Sequence, residues 1–587
     1  MKIIKNIFKL FLVAAVLSVS SCETFDLDQT DNPSTLPADQ LDPVYVFNYV
    51  QLTLPDFVNS ANSFTQRVTR QMAMTGGTSY DNAFAPVNFD NNWTTGYLML
   101  NSIKLMEPRA RANNQTFILG ASKVMRCYIL LAMVDMYGNI PYSEALQGNA
   151  NLTPKYDDSK DVYTGVYNEL NEAIAELSIV DNNDGALKAR DLYYGSGNQG
   201  NPNGEKWIKL ANTLKFKMLV TSRNAGGFGG LDLTNEINGI LALPAAKGLI
   251  DTAEDDFAFR YGTERDLPNS RHPMYNDQYE FGGGAYIANY FFWAVSVEKG
   301  SVNDPRLPYY FFKQITLSAS NADAQTVPCR FLSAPTYYSN DEYASFYVPS
   351  IRAAYCYSNP NSIGTSFLGR DHGDASGIPL DEKLRSVVGV YPAGGLIGAP
   401  ANVSSSTNAG LLGGLGQGIM PMVLSSYVHF LRAEASLTIT GVNTGVAKDE
   451  LEKAIRQSVS KTVNLLPQYA PGTPNITGVP TVDANNTATT NYLNFVLGQF
   501  DAATAEDKLQ IVIKEYYIAS WGNGIEPYNN YRRTGYPDNF QPTVEENPGE
   551  YFYTALYPGA SVNNNPNAPT NVRTKKVFWE PTSLELH

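Results

Sequence analysis

The sequence predicts a mainly α-helical protein, with a scaffold of tetratricopeptide-like helical repeats that carries a loop-rich irregular lobe. Apolar residues recur every three or four positions in two blocks near the ends of the chain, which is typical of helices that bury a face. Between the blocks, residues 225–415 are rich in Gly and Pro and show few helical patterns. Paired helices of this length suggest tetratricopeptide packing, although no repeat aligns cleanly at the usual period of about 34 residues.

The strongest pattern runs from Gln115 to Met136 and is apolar on all sides. It predicts a buried helix that ends at Gly138, with Pro141 just beyond. Further helices of the first block are expected at 158–177, where Asp158 and Ser159 form the cap, at 205–223, and earlier at 40–59, 63–75 and 90–110, the first of these limited by Pro55.

The second block predicts three more helices. The first begins at Pro421, and its apolar positions continue to Ala435. The others centre on residues 451–459 and 509–520, and the last ends at Trp521 and Gly522.

The middle stretch is too long to be structureless inside a compact domain, so we expect it to fold on the helical body as a lobe. Residues 22–587 then form one unit, in which the C-terminal helical part packs on the N-terminal part. The predicted divisions are a signal peptide at 1–21, a lipidated tether at 22–39, an N-terminal helical part at 40–224, the loop-rich lobe at 225–415 and a C-terminal helical part at 416–587.

The first residues have the form of a lipoprotein signal peptide. Three lysines precede an apolar run from Leu10 to Val19, shorter than the ~20 residues of a membrane span. Small residues then lead to Cys22, whose thiol can take a diacylglycerol, so that after cleavage Cys22 would carry the lipid. Each buried methylene contributes about 0.8 kcal/mol, so several acyl chains on Cys22 would anchor the protein durably. The alternative is an ordinary signal peptide with a chance cysteine.

The net charge bears on nucleic acid as a partner, and the cysteines bear on a possible disulfide bond. The formal net charge of -14 argues against nucleic acid, whose phosphates require basic clusters. Cys127 lies in a helical apolar pattern and is expected to be a buried core residue. Cys329 and Cys356 could pair in an oxidising compartment, but their spacing does not decide it.

A set of short motifs in a fixed order resembles the SusD/RagB family of outer-membrane lipoproteins, and in its details the divergent SusD-like branch. They span nearly the whole mature chain. They are GASKVMRCY at 120–128, VDMYGNIPYSE at 134–144, DLYYG at 191–195, WIKLANTLK at 207–215, RHP at 271–273, DPRL at 304–307, GRDHG at 369–373, LRAEA at 431–435, YRRTGYP at 531–537 and KVFW at 576–579.

The resemblance implies a helical scaffold with tetratricopeptide-like pairs and an irregular lobe. It also implies a lipid-anchored protein on the outer membrane, facing the cell exterior, with a SusC-type TonB-dependent barrel as its partner. Members of the family sit over the barrel as a lid and hold oligosaccharides, glycan fragments or peptides on the face toward it.

The charged motifs have a structural and a functional interpretation. Glu434 could be a general acid, but a buried, hydrogen-bonded carboxylate is the more common case. Arg532 and Arg533 could bind an anionic ligand, but they are expected instead to tie loops to helix ends through carbonyl and carboxylate contacts. His272 and His372 lie next to possible ligands without the spacing of a zinc site. The run 181–185 (DNNDG) fits an Asn/Asp turn better than a calcium loop. No cofactor is expected.

Carbohydrate capture needs aromatic faces for pyranose C–H groups and amides or carboxylates at the edges. Two loop segments combine these, although packing in the core is the alternative for each ring. The candidate ligand contacts are Tyr80, Asp81, Asn82 and Trp93 in the first segment and Tyr286, Asn289, Tyr290 and Trp293 in the second.

The sequence therefore predicts a non-catalytic lipoprotein that binds a glycan or oligosaccharide and delivers it to the barrel. A peptide ligand on the same scaffold is the first alternative. A surface glycan hydrolase is less favoured because no catalytic motif occurs. A lid without ligand preference is the fourth possibility.

Overall fold

The computed structural model describes residues 42–179, 190–195, 203–280, 285–296, 298–300, 302–312, 369–375, 385–397, 410–465 and 487–587. Cys22, Cys329, Cys356 and the run 181–185 lie outside the described residues. The helices toward the N-terminus are α1 (Pro43–Val68), α2 (Asp90–Ala112), α3 (Thr116–Tyr137), α4 (Ser159–Leu177), α5 (Asn203–Thr221) and α6 (Leu233–Leu241).

The middle of the chain adds short elements, and the C-terminal part is helical again. In order they are β1 (Phe257–Arg260), α7 (Asn289–Ser296), β2 (Phe311–Phe312), β3 (Val387–Val388), β4 (Ile419–Val423), α8 (Ser425–Thr438), α9 (Ala447–Val463), α10 (Thr487–Ala502), α11 (Ala505–Ala519) and α12 (Ile525–Thr534). The strands form two small antiparallel sheets, β1 with β4 and β2 with β3.

Successive helices pack on one another. α1 contacts α2, α2 contacts α3, α3 contacts α4 and α4 contacts α5, while α8 contacts α9 and α11. Helices from the two ends of the chain also meet, α1 with α12 and α5 with α8. Residues Pro43–His587 belong to one unit by their contacts, and the boundaries proposed within it at 224/225 and 415/416 stay predictions.

α3 is the centre of the N-terminal part. Nearly every side chain is buried, including Cys127, as its all-round apolar pattern predicts. It ends where Gly138 adopts φ of 77°, a backbone conformation that suits glycine. Among the described residues it is the one helix long and apolar enough to cross a membrane, but 94% of its most apolar window is buried inside the protein. Such burial is typical of a core helix.

The prediction of separate helices at 40–59 and 63–75 is wrong, because α1 continues through Pro55. A proline inside a helix removes the hydrogen bond to the carbonyl four residues earlier. Here that carbonyl belongs to Gln51, and it accepts a hydrogen bond from the Tyr193 hydroxyl at 3.1 Å. The Gln51 side chain binds the same loop, accepting from the Leu192 amide at 2.7 Å. The loop thus satisfies the carbonyl that the proline leaves free.

The second block also differs from expectation at its start. Pro421 does not open a helix, because it lies in β4 beside an irregularity in the pairing with β1, and α8 begins at Ser425. α10 and α12 were not predicted. The sequence of α12, IEPYNNYRRT, is polar, yet most of it is buried.

Buried ion pairs explain how so polar a helix enters the core. Arg533 donates two hydrogen bonds to Glu434 of α8, at 2.7 and 2.6 Å, and Arg223 reaches the same carboxylate at 2.7 Å. Burial alone would raise the pKa of Glu434, but the two guanidinium groups hold it below its usual value. The structural interpretation of Glu434 is thereby confirmed.

Glu434→Gln should lower the free energy of unfolding by about 3 to 5 kcal/mol, because it leaves two buried guanidinium groups without a counter-charge. Glu452→Gln is the matched control, since Glu452 pairs with Arg456 on the surface of α9 with both side chains 37% exposed. That change should cost about 0 to 1 kcal/mol. Equal losses for the two variants in urea titrations would contradict the structural role of the buried carboxylate.

Candidate functional site

A surface cavity of about 250 Å³ lies beside the first turns of α2 and is called the aromatic cavity below. Aromatic and aliphatic groups form its floor, and hydroxyl and amide side chains stand at its edge. It is lined by Trp93, Tyr97, Pro141, Ala145, Leu146, Leu152, Pro154, Ala560, Ser561, Asn564 and Asn565.

Helical spacing brings the two rings of the floor together. Trp93 and Tyr97 are four residues apart on α2, so they share a face, and their ring centroids are 5.0 Å apart. The Tyr97 hydroxyl donates to the Pro141 carbonyl at 2.7 Å and so fixes the ring against the loop after α3. Trp93 is also stacked with Tyr156 and meets the edge of Tyr137. The floor is therefore held in place before binding, which lowers the conformational entropy that these protein side chains would lose when a ligand binds.

The edge of the cavity combines an exposed apolar side chain with amides. Leu152 is 73% exposed at the rim. Asn565 donates to the Pro154 carbonyl at 2.8 Å, and Asn564 donates to the Ala560 carbonyl at 2.7 Å, so both amides are held in place. Aromatic faces beside amide groups are the chemistry that recognises a sugar ring.

The first predicted segment is divided between the core and the surface. Tyr80 is buried, and its hydroxyl accepts from Arg70 at 2.8 Å and lies 3.2 Å from His372 Nε2. Asp81 is exposed and pairs with Arg573, and the exposed Asn82 accepts from the Ser79 amide.

The second segment is mostly buried. Tyr286 is half-buried beneath the guanidinium of Arg370, which is centred 4.4 Å from the ring. Asn289, at the start of α7, donates to Asp371 at 2.9 Å. The Tyr290 hydroxyl donates to Asn539 at 2.6 Å, and Trp293 is buried near the ammonium of Lys514.

The structure brings residues of both segments into contact with one loop, residues 369–375. Tyr80 reaches His372 of this loop, and Asn289 reaches Asp371. Among the eight candidates, Trp93 lines the aromatic cavity, while Tyr80, Asn289, Tyr290 and Trp293 are enclosed by protein. Their contact with a ligand stays a prediction, and it would require the covering side chains to move.

A smaller cavity of about 170 Å³ lies above the second segment, between α10, α11 and the chain after α12. Lys514 lines it and donates to Tyr290 at 2.7 Å and to Glu298 at 2.8 Å. Burial lowers the pKa of Lys514 despite the nearby Glu298 carboxylate. The Lys514 ammonium is thus already held by protein groups on the wall of this cavity.

In the part of the chain that the structure describes, no three His, Cys, Asp or Glu side chains are grouped so that they could hold a metal ion. His272 and His372 lie apart from each other: His272 caps a helical turn by accepting from the Met274 amide at 3.1 Å, and His372 contacts Tyr80. Both serve as local structural contacts.

Comparison with known proteins identifies the scaffold. A SusD-like family model described as "Starch-binding associating with outer membrane" matches residues 35–360, more than half of the chain. A second model, described as "Susd and RagB outer membrane lipoprotein", matches residues 417–568. The chain belongs to the SusD/RagB family. No curated protein sequence matches it.

Solved SusD-like structures share this fold. A chitin-binding SusD homologue from Flavobacterium johnsoniae has 18% identity and a TM-score of 0.59, with 92% of this chain and 98% of that chain covered. SusD homologues from Bacteroides fragilis (20% identity, TM-score 0.60, 92% and 99% covered) and Bacteroides vulgatus (16%, 0.62, 92% and 98%) are also similar. The predicted mainly helical, tetratricopeptide-like fold is thereby confirmed.

The SusD/RagB motif at 134–144 helps to form the aromatic cavity, because it supplies Pro141. Sequence reasoning selected Trp93 but missed Tyr97, although the spacing of four on a predicted helix is a signal that could have found it. It also missed Leu152 and the edge at 561–565, which reach the cavity from distant parts of the chain and leave no local pattern.

Burial lowers the pKa of His272 to about 3, whereas an imidazole in an unfolded chain titrates near 6.5. Between these values the unfolded chain binds a proton that the folded protein does not, so stability falls as the pH falls. His272→Asn keeps a cap acceptor and removes this proton. From pH 6.5 to 4.5 the wild type should lose about 2 kcal/mol more than the variant, as measured by urea unfolding at each pH. If the free energies of unfolding of wild type and variant fall in parallel with pH, the prediction is contradicted. His587→Asn, at an exposed position, is the control.

Proposed function

We propose that this SusD/RagB protein captures a glycan or oligosaccharide without cleaving it and passes it to a SusC-type TonB-dependent barrel. The observation that carries the proposal is the aromatic cavity, where Trp93 and Tyr97 form a rigid floor and Asn564 and Asn565 stand at the edge. Its volume of about 250 Å³ suits one or a few sugar rings rather than a large ligand.

The comparisons support carbohydrate as the ligand class. One matching family model is described as starch-binding, and the relative from Flavobacterium johnsoniae is described as chitin-binding. At 18% identity that relative does not identify the sugar. A peptide ligand is the alternative that a mixed ligand screen would reveal.

The lining of the aromatic cavity argues for capture rather than hydrolysis. A glycosidase holds two carboxyl groups roughly 5 to 9 Å apart around the scissile bond. Among the described residues, neither Asp nor Glu lines this cavity. A sugar ring held there would meet the aromatic rings, amides and hydroxyls of the described lining.

Family membership supports a location at the outer membrane, since the matching models are described as an outer-membrane lipoprotein and as associating with the outer membrane. We propose that Cys22 carries the lipid and that residues 22–39 form the tether. The binding face would then be presented outside the cell, where it can receive a glycan before the barrel imports it.

Tyr97→Ala should weaken glycan binding about tenfold, because stacking on an aromatic face contributes about 0.5 to 1.5 kcal/mol beyond area burial. Leu152→Ala, at the exposed rim, should weaken it in the same direction with no effect on folding. Tyr45→Ala is the matched control, since Tyr45 is exposed on α1 outside the cavity. The measurement is calorimetric titration with chito-, malto-, xylo- and manno-oligosaccharides, with chromatography of the products. Unchanged affinity in both cavity variants would place the ligand elsewhere, and appearance of cleaved sugar would overturn capture.

Cys22→Ala should abolish incorporation of labelled fatty acid into the protein, because the thiol that takes the diacylglycerol is removed. Cys127→Ala is the control, since Cys127 is buried in α3. The readout is autoradiography of the purified protein after metabolic labelling. Labelling that persists in the Cys22 variant would contradict the assigned anchor.

A further inference from the structure

A second and larger cavity, called the charged cavity here, adjoins the aromatic cavity. Its volume is about 580 Å³, and it lies between α2, α3, α4 and the loop after α3. Among the described residues, three cations and three carboxylates line it, and their formal charges cancel. The cations are Lys104, Lys123 and Arg126, and the carboxylates are Glu107, Glu169 and Glu172.

Two ion pairs cross from α3 to α4 along the floor. Lys123 lies 2.7 Å from Glu172, and Arg126 lies 2.8 Å from Glu169. The residue number rises along α3 as it falls along α4, as expected for antiparallel helices. Glu169 also accepts from the Tyr142 hydroxyl at 2.8 Å. The pairs hold the charged side chains in fixed positions.

These pairs leave polar atoms open toward the cavity. Within the part of the chain that the structure describes, Arg126 uses only its Nε in a hydrogen bond, and Glu172 uses only Oε2. The Glu172 side chain is 60% exposed. Asn168 is exposed on α4 next to Glu169, and its side chain hydrogen-bonds to none of the described residues. The cavity thus offers both donors and acceptors to a ligand.

A strained turn separates the two cavities. Ala145 and Leu146 line both of them. Leu146 has φ of 63°, a conformation that non-glycine residues rarely adopt and that costs about 1 to 3 kcal/mol. Its carbonyl accepts from Lys104 at 2.7 Å, so a side chain of the charged cavity holds the turn in this form. Such strain is commonly retained at ligand sites.

We infer that the charged cavity is a second subsite for the same ligand, which makes that ligand an uncharged oligosaccharide long enough to cross the turn at Leu146. This inference rests on the proposed function. In the aromatic cavity the sugar stacks on rings, whereas in the charged cavity its hydroxyls donate to Glu172 and accept from Arg126. An ionic ligand would have to compete with the existing ion pairs, while a polyhydroxyl ligand can use the open atoms without breaking them.

The test compares chain lengths. The mature lipoprotein in detergent is titrated by calorimetry with a disaccharide and a hexasaccharide of the chito, malto, xylo and manno series. Asn168→Tyr fills the mouth of the charged cavity. Asn171→Tyr is the matched control, because Asn171 is exposed on the same helix and lies outside the cavity.

Wild type and Asn171→Tyr should bind the hexasaccharide of one series about tenfold more tightly than its disaccharide. Asn168→Tyr should lose that difference and bind the disaccharide as wild type does. Glu172→Ala, a smaller change at an exposed position, should reduce the difference in the same direction.

Equal hexasaccharide affinity in Asn168→Tyr and Asn171→Tyr would overturn the second subsite while leaving the proposed function intact. Loss of disaccharide binding in Asn168→Tyr alone would contradict two separate subsites. If the wild type binds no oligosaccharide of any series, the proposed function and the inference are both overturned.

Discussion

Two consecutive arginines on α12 hold the parts of the molecule together. Arg533 pairs with Glu434 of α8, and Arg532 turns to the other side, where it donates to the backbone carbonyl of Asp135 near the end of α3 and to Glu580 at 2.9 Å. Both guanidinium groups are fully buried. A buried charge without partners is strongly destabilising, so these residues tolerate few other arrangements of the surrounding chain. Their main effect is to hold three distant segments next to α12, namely α8, the end of α3 and the C-terminal segment around Glu580.

The proposed site depends on that meeting point. The Asp135 carboxylate accepts from Asn529 of α12 at 2.7 Å and from the Trp579 indole at 3.2 Å, so the end of α3 is tied to the C-terminal segment. Six residues later, the Pro141 carbonyl accepts a hydrogen bond from the Tyr97 hydroxyl, and Pro141 lines the aromatic cavity. The edge at 561–565 comes from the same C-terminal region. The buried contacts at Asp135 therefore tie the end of α3, which leads to the floor of the cavity, to the C-terminal region that supplies its edge.

Local sequence patterns predicted the elements that bury apolar faces, such as α3 and α4, almost to the residue. These patterns did not predict structure that depends on contacts with residues distant in the sequence. Pro55 does not break α1, because Tyr193 satisfies the carbonyl it frees, and α12 is buried although its sequence is polar. The same limit applies to the site: Trp93 could be selected from composition, whereas Leu152 and Asn564 reach the cavity only through the fold. Most other candidate rings are covered by neighbours that no local pattern shows.

A crystal structure of the protein with the oligosaccharide that binds most tightly in the calorimetric screen would test the proposed capture site. We expect an intact sugar with one ring lying against Tyr97 and Trp93 and its hydroxyls within hydrogen-bond distance of the amides at 564 and 565. An intact sugar bound away from this cavity would contradict the assigned site. A cleaved sugar in the cavity would contradict capture without catalysis.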